Sequence, residues 1–181
     1  MSRDLFKMVR LGLLLGLAMA LWLLEGLLPI NHVIPGAKLG LANVVILIIV
    51  LRFGLKEALM INLLRCFIIS LFTGTTFGFT FVLSLGGGIC AALAMGAIGR
   101  WGMKHVSVIG LSIAGAFAHN IAQVILACIM LGHRGILVYL PYFLVFSLPT
   151  GFFTGLVTHY VLQATGWQDV FQSERGGEKS A

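Results

Sequence analysis

The sequence predicts an all-α polytopic membrane fold, and three observations carry that prediction. Of 181 residues, 59% are hydrophobic and only 10% are charged, whereas a soluble domain needs about a quarter charged residues to face water. Mean hydropathy is +1.04, and apolar runs near the ~20 residues that cross a bilayer recur along almost the whole chain. Lysine and arginine are also unevenly spread between the loops that separate those runs. Six transmembrane helices in a single integral membrane domain, residues 1–167, follow from this, with a polar tail over 168–181.

The first segment, Leu11–Leu28, follows a basic start (MSRDLFKMVR) and resembles a signal peptide. Its apolar run continues to Leu28 with no small-x-small cleavage site after it, so it reads as a retained first helix. The second and third, Leu39–Phe53 and Ala58–Thr73, are short. They cross only if tilted, if the bilayer thins, or if protein lines them. A re-entrant hairpin made of this pair, leaving five spans, is the alternative.

The fourth segment, Phe79–Ile98, contains SLGGGICAALAMGAIG (Ser84–Gly99). Bare glycine backbone can approach a ligand or a phosphate. This stretch lacks the lysine and hydroxyl of a P-loop, so close helix packing or a hinge is the better reading. The fifth is Val106–Leu131. The sixth, Ile136–Leu162, is long and carries Pro141 and Pro149, which predict a kink or an interfacial start. The tail QDVFQSERGGEKSA is too polar to bury anything and reads as disordered. No inverted repeat of the transporter kind is visible.

With the N-terminus inside, Arg3, Lys7, Arg10, Arg52, Lys56, Arg100, Lys104, Arg175 and Lys179 fall on one side, and only Lys38 and Arg134 on the other. The positive-inside rule then places both termini in the cytoplasm, in a multi-pass protein of the cell membrane. The net charge of +6 therefore reports orientation and not a nucleic-acid partner. The cysteines, Cys66, Cys90 and Cys128, lie inside apolar runs and suggest neither a disulfide framework nor a metal site.

Ionisable groups within a membrane are costly, and they mark function by default. Arg65 and His119 lie near the middle of their segments. Gln123 shares a helix face with His119, Asn62 shares one with Arg65, and Asn120 lies about 100° round from His119. Lys38 and Asn43 stand at the outer end of the second segment, and Glu25 near that of the first. Together these residues could line one outward-opening pocket for an anionic or strongly polar small molecule. Alternatively, Arg65 pairs with Glu25, and the amides and His119 bond neighbouring helices. Gly12, Gly16 and Ala20 repeat at four-residue steps and form a smooth face on the first helix, for internal packing or for another membrane subunit. No DDxxD-type cluster holds Mg²⁺ and a diphosphate, and no Ser/His/Asp set or zinc motif appears, so neither catalysis nor a cofactor is expected of this chain.

PGAKLGLANVV (Pro35–Val45), SLGGG (Ser84–Gly88), GAFAHNIAQ (Gly115–Gln123) and YLPYFL (Tyr139–Leu144) resemble the Gx transporter family, also described as heptaprenyl diphosphate synthase component I. The resemblance runs from about Leu11 to Leu162. That family is similar in turn to the substrate-binding S-components of energy-coupling factor (ECF) transporters. The likeness implies six helices, an outward pocket, and a coupling subunit and ATPases as partners. The coupling subunit would be met through the face of Gly12, Gly16 and Ala20, where this chain has glycine at positions in which the S-component pattern favours alanine. The synthase description implies instead a membrane accessory to a prenyl synthase catalytic subunit in quinone biosynthesis. The leading expectation is a substrate-binding uptake subunit without ATPase activity. The alternative is the accessory subunit, and a third class is a structural scaffold.

Overall fold

A computed structural model describes residues 3–27, 40–102 and 106–166. Lys38 and the polar tail lie outside the described residues. Those described form six α-helices: α1 (Arg3–Leu27), α2 (Leu41–Arg52), α3 (Leu55–Thr73), α4 (Phe79–Gly102), α5 (Val108–Leu131) and α6 (Leu140–Ala164). A 3-10 helix, Arg134–Tyr139, leads into α6. Among the described residues, four stretches are long and apolar enough to cross a membrane: Asp4–Leu27, Phe79–Arg100, Val108–Leu131 and Arg134–Ala164.

The two remaining helices depart from simple spans for different reasons. α2 has 12 residues, and every one from Val44 to Ile49 is buried. A helix that is apolar all round belongs inside a protein. α2 packs against α1, α3, α4 and α6, so bilayer thickness does not set its length. α3 has 19 residues but carries Lys56, Glu57 and Arg65. It turns Asn62, Arg65, Cys66 and Ser70 inward, while Leu63, Phe67, Leu71 and Phe72 are exposed. Gly54 joins α2 to α3 at φ 104° and ψ 175°, a region essentially closed to residues with a Cβ.

α4, α5 and α6 pack as a tight layer. A Cβ on Gly151 or Gly155 would stand 2.7 Å from the Cα of Ile113 or Ile109, so the α5 and α6 backbones nearly touch. Small residues at this four-residue spacing permit such an approach. The Ser112 and Thr154 hydroxyls bond across the same seam at 2.7 Å. Pro141 occupies the first turn of α6, where its missing N–H costs nothing; a 3-10 helix precedes it, and Pro149 lies inside α6.

α1 touches the bundle along a narrow stripe that includes Leu11, Ala18 and Glu25. Gly12, Gly16 and Ala20 face away and are exposed, and a Cβ on either glycine would meet nothing within 4 Å. Packing within the described residues does not use this face.

The Lys7–Glu57 ion pair ties α1 to α3. The hydrogen-bonded Lys7 ammonium holds the Glu57 carboxyl below the usual glutamate range. A depressed folded-state pKa contributes stability above the unfolded value of ~4.3 and loses it as pH falls through the folded value. The Lys7 side chain is 45% exposed, so solvent screening limits the pair to about 0.2–1 kcal/mol. Thermal unfolding in detergent is expected to show the native protein losing this increment below pH ~4.3. Glu57→Gln should lack it at every pH.

Candidate functional site

The C-terminal ends of α1 and α3 and the N-terminal ends of α2 and α4 converge at the end of the bundle remote from Lys7, Arg52, Lys56 and Arg100. There, with the middle of α5, they enclose a cavity of ≈ 260 Å³. Its geometry begins with Gly40, which opens α2 in the left-handed region at φ 72°. The Gly40 amide donates to Glu25 Oε1 at 2.6 Å, setting a carboxylate at a helix N-terminus where the dipole favours it. Glu25 thus serves to start α2 and is not the partner of Arg65.

Arg65 lines the cavity yet is only 6% exposed. Its Nη2 donates to Asn62 Oδ1 at 3.0 Å and approaches Cys66 Sγ at 3.8 Å. Its Nε is buried without a hydrogen-bond partner. Among the described residues no carboxylate stands within ion-pairing distance of the guanidinium. Asn62 is fully buried behind it, and its Nδ2 reaches the Leu85 carbonyl on α4 at 3.4 Å. Asn62 therefore orients the arginine from behind and does not line the cavity.

On α5, His119 and Gln123 both face the cavity, one turn apart. The glycine run of α4 makes room for them. A Cβ on Gly87 would stand 2.9 Å from His119 Cε1 and 3.0 Å from Gln123 Cγ, and one on Gly88 would stand 2.2 Å from Asn62 Oδ1. Gly86 meets Leu126 in the same way, at 2.3 Å. The three consecutive glycines thus admit four different neighbours, three of them polar residues of the site.

Asn120 points elsewhere. It donates to the Phe143 carbonyl at 3.1 Å and to Ser147 Oγ at 2.7 Å, fastening α5 to α6. It also borders a small void of ≈ 30 Å³ shared with Asn43, His119 and Gln123. Asn43 lines both spaces. Trp22, Cys66, Ser70, Thr73 and Ser84 complete the larger cavity, and sequence reasoning passed over them. A signal existed: Asn62, Cys66, Ser70 and Thr73 recur at helical spacing on one face of α3. Among the described residues no group of three His, Cys, Asp or Glu side chains could hold a metal ion.

The family model described as heptaprenyl diphosphate synthase component I matches residues 14–161. No curated protein and no solved structure matches the chain.

Proposed function

The chain belongs to the heptaprenyl diphosphate synthase component I family, and from that premise we propose that it is a non-catalytic membrane component working beside a separate prenyl synthase catalytic subunit. Its own share is to hold a small anionic or strongly polar molecule in the cavity around Arg65. The family description favours a place in isoprenoid or quinone biosynthesis. The sequence has no aspartate-rich motif to hold Mg²⁺ and a diphosphate, so chain elongation falls to the partner.

The observation that carries the binding role is the Arg65 guanidinium, 6% exposed and with Nε unpartnered. A buried cation is expensive unless it is paired, and an anion entering the cavity would supply the pair. Asn43, His119 and Gln123 would add directional hydrogen bonds, with Asn62 holding the arginine and Lys38 at the mouth. Asn120 would act indirectly, by fixing α5 against α6.

A second reading, an uptake subunit of the S-component kind, is favoured by the position of the cavity. It lies opposite the basic end of the bundle, which the positive-inside rule assigns to the cytoplasm. Both termini would then be cytoplasmic, all six segments would lie in the membrane, and the open face of Gly12, Gly16 and Ala20 would meet a coupling subunit.

One experiment separates these readings: purify the full chain from membranes, identify its bound small molecules and proteins by mass spectrometry, and measure cellular prenyl-chain yield with and without it. Co-purification of a prenyl synthase, with reduced yield on deletion, supports the accessory role. A tightly retained solute with unchanged prenyl yield supports uptake. Absence of both a ligand and a synthase overturns the two together.

A further inference from the structure

The opposite end of the bundle holds a second concavity. The first turns of α1 and the α2–α3 junction border a shallow, open cleft of ≈ 440 Å³ lined by Phe6, Lys7, Arg10, Arg52 and Phe53. Three of these five side chains are cations, and the other two are phenyl rings. Lys7 is fixed in place by its ion pair with Glu57. Arg52 sits in the last turn of α2, where the helix dipole favours a cation. Arg10 is exposed on α1, within the apolar stretch Asp4–Leu27. The cleft therefore stands where one membrane surface gives way to hydrocarbon.

The faces of α1 extend this pattern into the bilayer. Phe6, Arg10, Leu13 and Leu17 fall on one side at helical spacing, and Leu13 and Leu17 are exposed. A headgroup in the cleft would thus find an apolar track for its tail directly beneath. Guanidinium groups match phosphate oxygens with paired, charge-assisted hydrogen bonds. Basic pockets between transmembrane helices on the Lys/Arg-rich side of a membrane recognise phosphate headgroups.

We propose that this cleft binds the phosphate-bearing headgroup of an amphiphile whose apolar tail lies along α1 in the bilayer. Two sources share that chemistry: an anionic phospholipid and a prenyl diphosphate. The proposal is independent of the cavity around Arg65.

The test uses the full chain in detergent. It is titrated with phosphatidylglycerol, with phosphatidylcholine and with farnesyl diphosphate, and bound molecules are counted by native mass spectrometry alongside the shift in Tm. Retention of phosphatidylglycerol over phosphatidylcholine assigns the site to an anionic phospholipid, and tighter retention of farnesyl diphosphate assigns it to a prenyl diphosphate. Arg10→Gln is expected to weaken either by about fivefold, while Arg10→Lys recovers most of the loss. Arg52→Gln, which removes the cation on the other wall of the cleft, gives a second measure if Arg10→Gln fails to fold, and is expected to weaken retention. Arg100→Gln removes a charge from the same end outside the cleft and is expected to change nothing. The proposal is overturned if neither phosphatidylglycerol nor farnesyl diphosphate is retained above phosphatidylcholine, or if Arg100→Gln weakens binding as much as Arg10→Gln, since a diffuse surface field would then suffice.

Discussion

Arg65→Met is expected to abolish ligand retention in the cavity while leaving the ligand-free bundle as stable as before, or more so. The two effects have opposite signs because the guanidinium stands in a place that suits a ligand better than it suits the fold. It is 6% exposed, and its side-chain partners are Asn62 and Cys66. Burying a charge without a counter-charge costs several kcal/mol even after relaxation. Against that, removing it forfeits a hydrogen bond to a charged group worth about 1.5–3 kcal/mol. Methionine keeps much of the volume and none of the charge. Binding should fall about a hundredfold or more, the scale set by losing a buried charged partner. Isothermal titration with the co-purified ligand and thermal unfolding of the ligand-free protein check the two halves. A variant that melts far below the native protein would make Arg65 a structural residue.

Gly151→Ala combined with Gly155→Ala is expected to be the most destabilising pair of small changes in the chain. Each added methyl would stand 2.7 Å from a backbone Cα on α5, and backbone cannot rotate aside as a side chain can. Overpacking of this kind costs about 1–3 kcal/mol per site, so the pair should cost several. The helices must separate to relieve it, which stretches the 2.7 Å bonds of Ser112 to Thr154 and of Asn120 to Ser147. Unfolding by denaturing detergent measures the loss. The control is Gly12→Ala with Gly16→Ala, where a Cβ meets nothing within 4 Å, and it should leave stability unchanged in the isolated protein.

Much of this was legible in sequence because it depends on local spacing. The Arg65–Asn62 bond follows from a three-residue step on one helix, and His119 and Gln123 share the cavity by a four-residue step. Asn120, about 100° round from His119 and expected among the ligand-binding residues, hydrogen-bonds to α6. The shortness of α2 was visible as a short apolar run. What could not be read was anything fixed by long-range packing. VVILIIV could be a membrane span or a buried core, and only its neighbours on all sides decide for the core. Glu25 and the Gly40 amide are 15 residues apart, and no periodicity links them. The glycine run announced close packing, but not that Gly88 clears space for Asn62 and Gly87 for His119. The cavity's hydroxyls and its cysteine were overlooked because, taken singly, such residues are ordinary in a membrane helix.

The enclosure of α2 bears on how the chain is assembled. At 12 residues the helix is about 18 Å long at ~1.5 Å per residue, well short of the ~30 Å hydrocarbon slab. It cannot settle as an independent insertion unit. Its walls come from α1 and α3, its neighbours in the chain, but also from α6, at the far end of the described residues. The walls of α2, which is joined to α3 through Gly54, are therefore complete only when α6 has packed against it. A helix too short to cross the slab by itself is thereby held at depth by neighbours drawn from both halves of the chain.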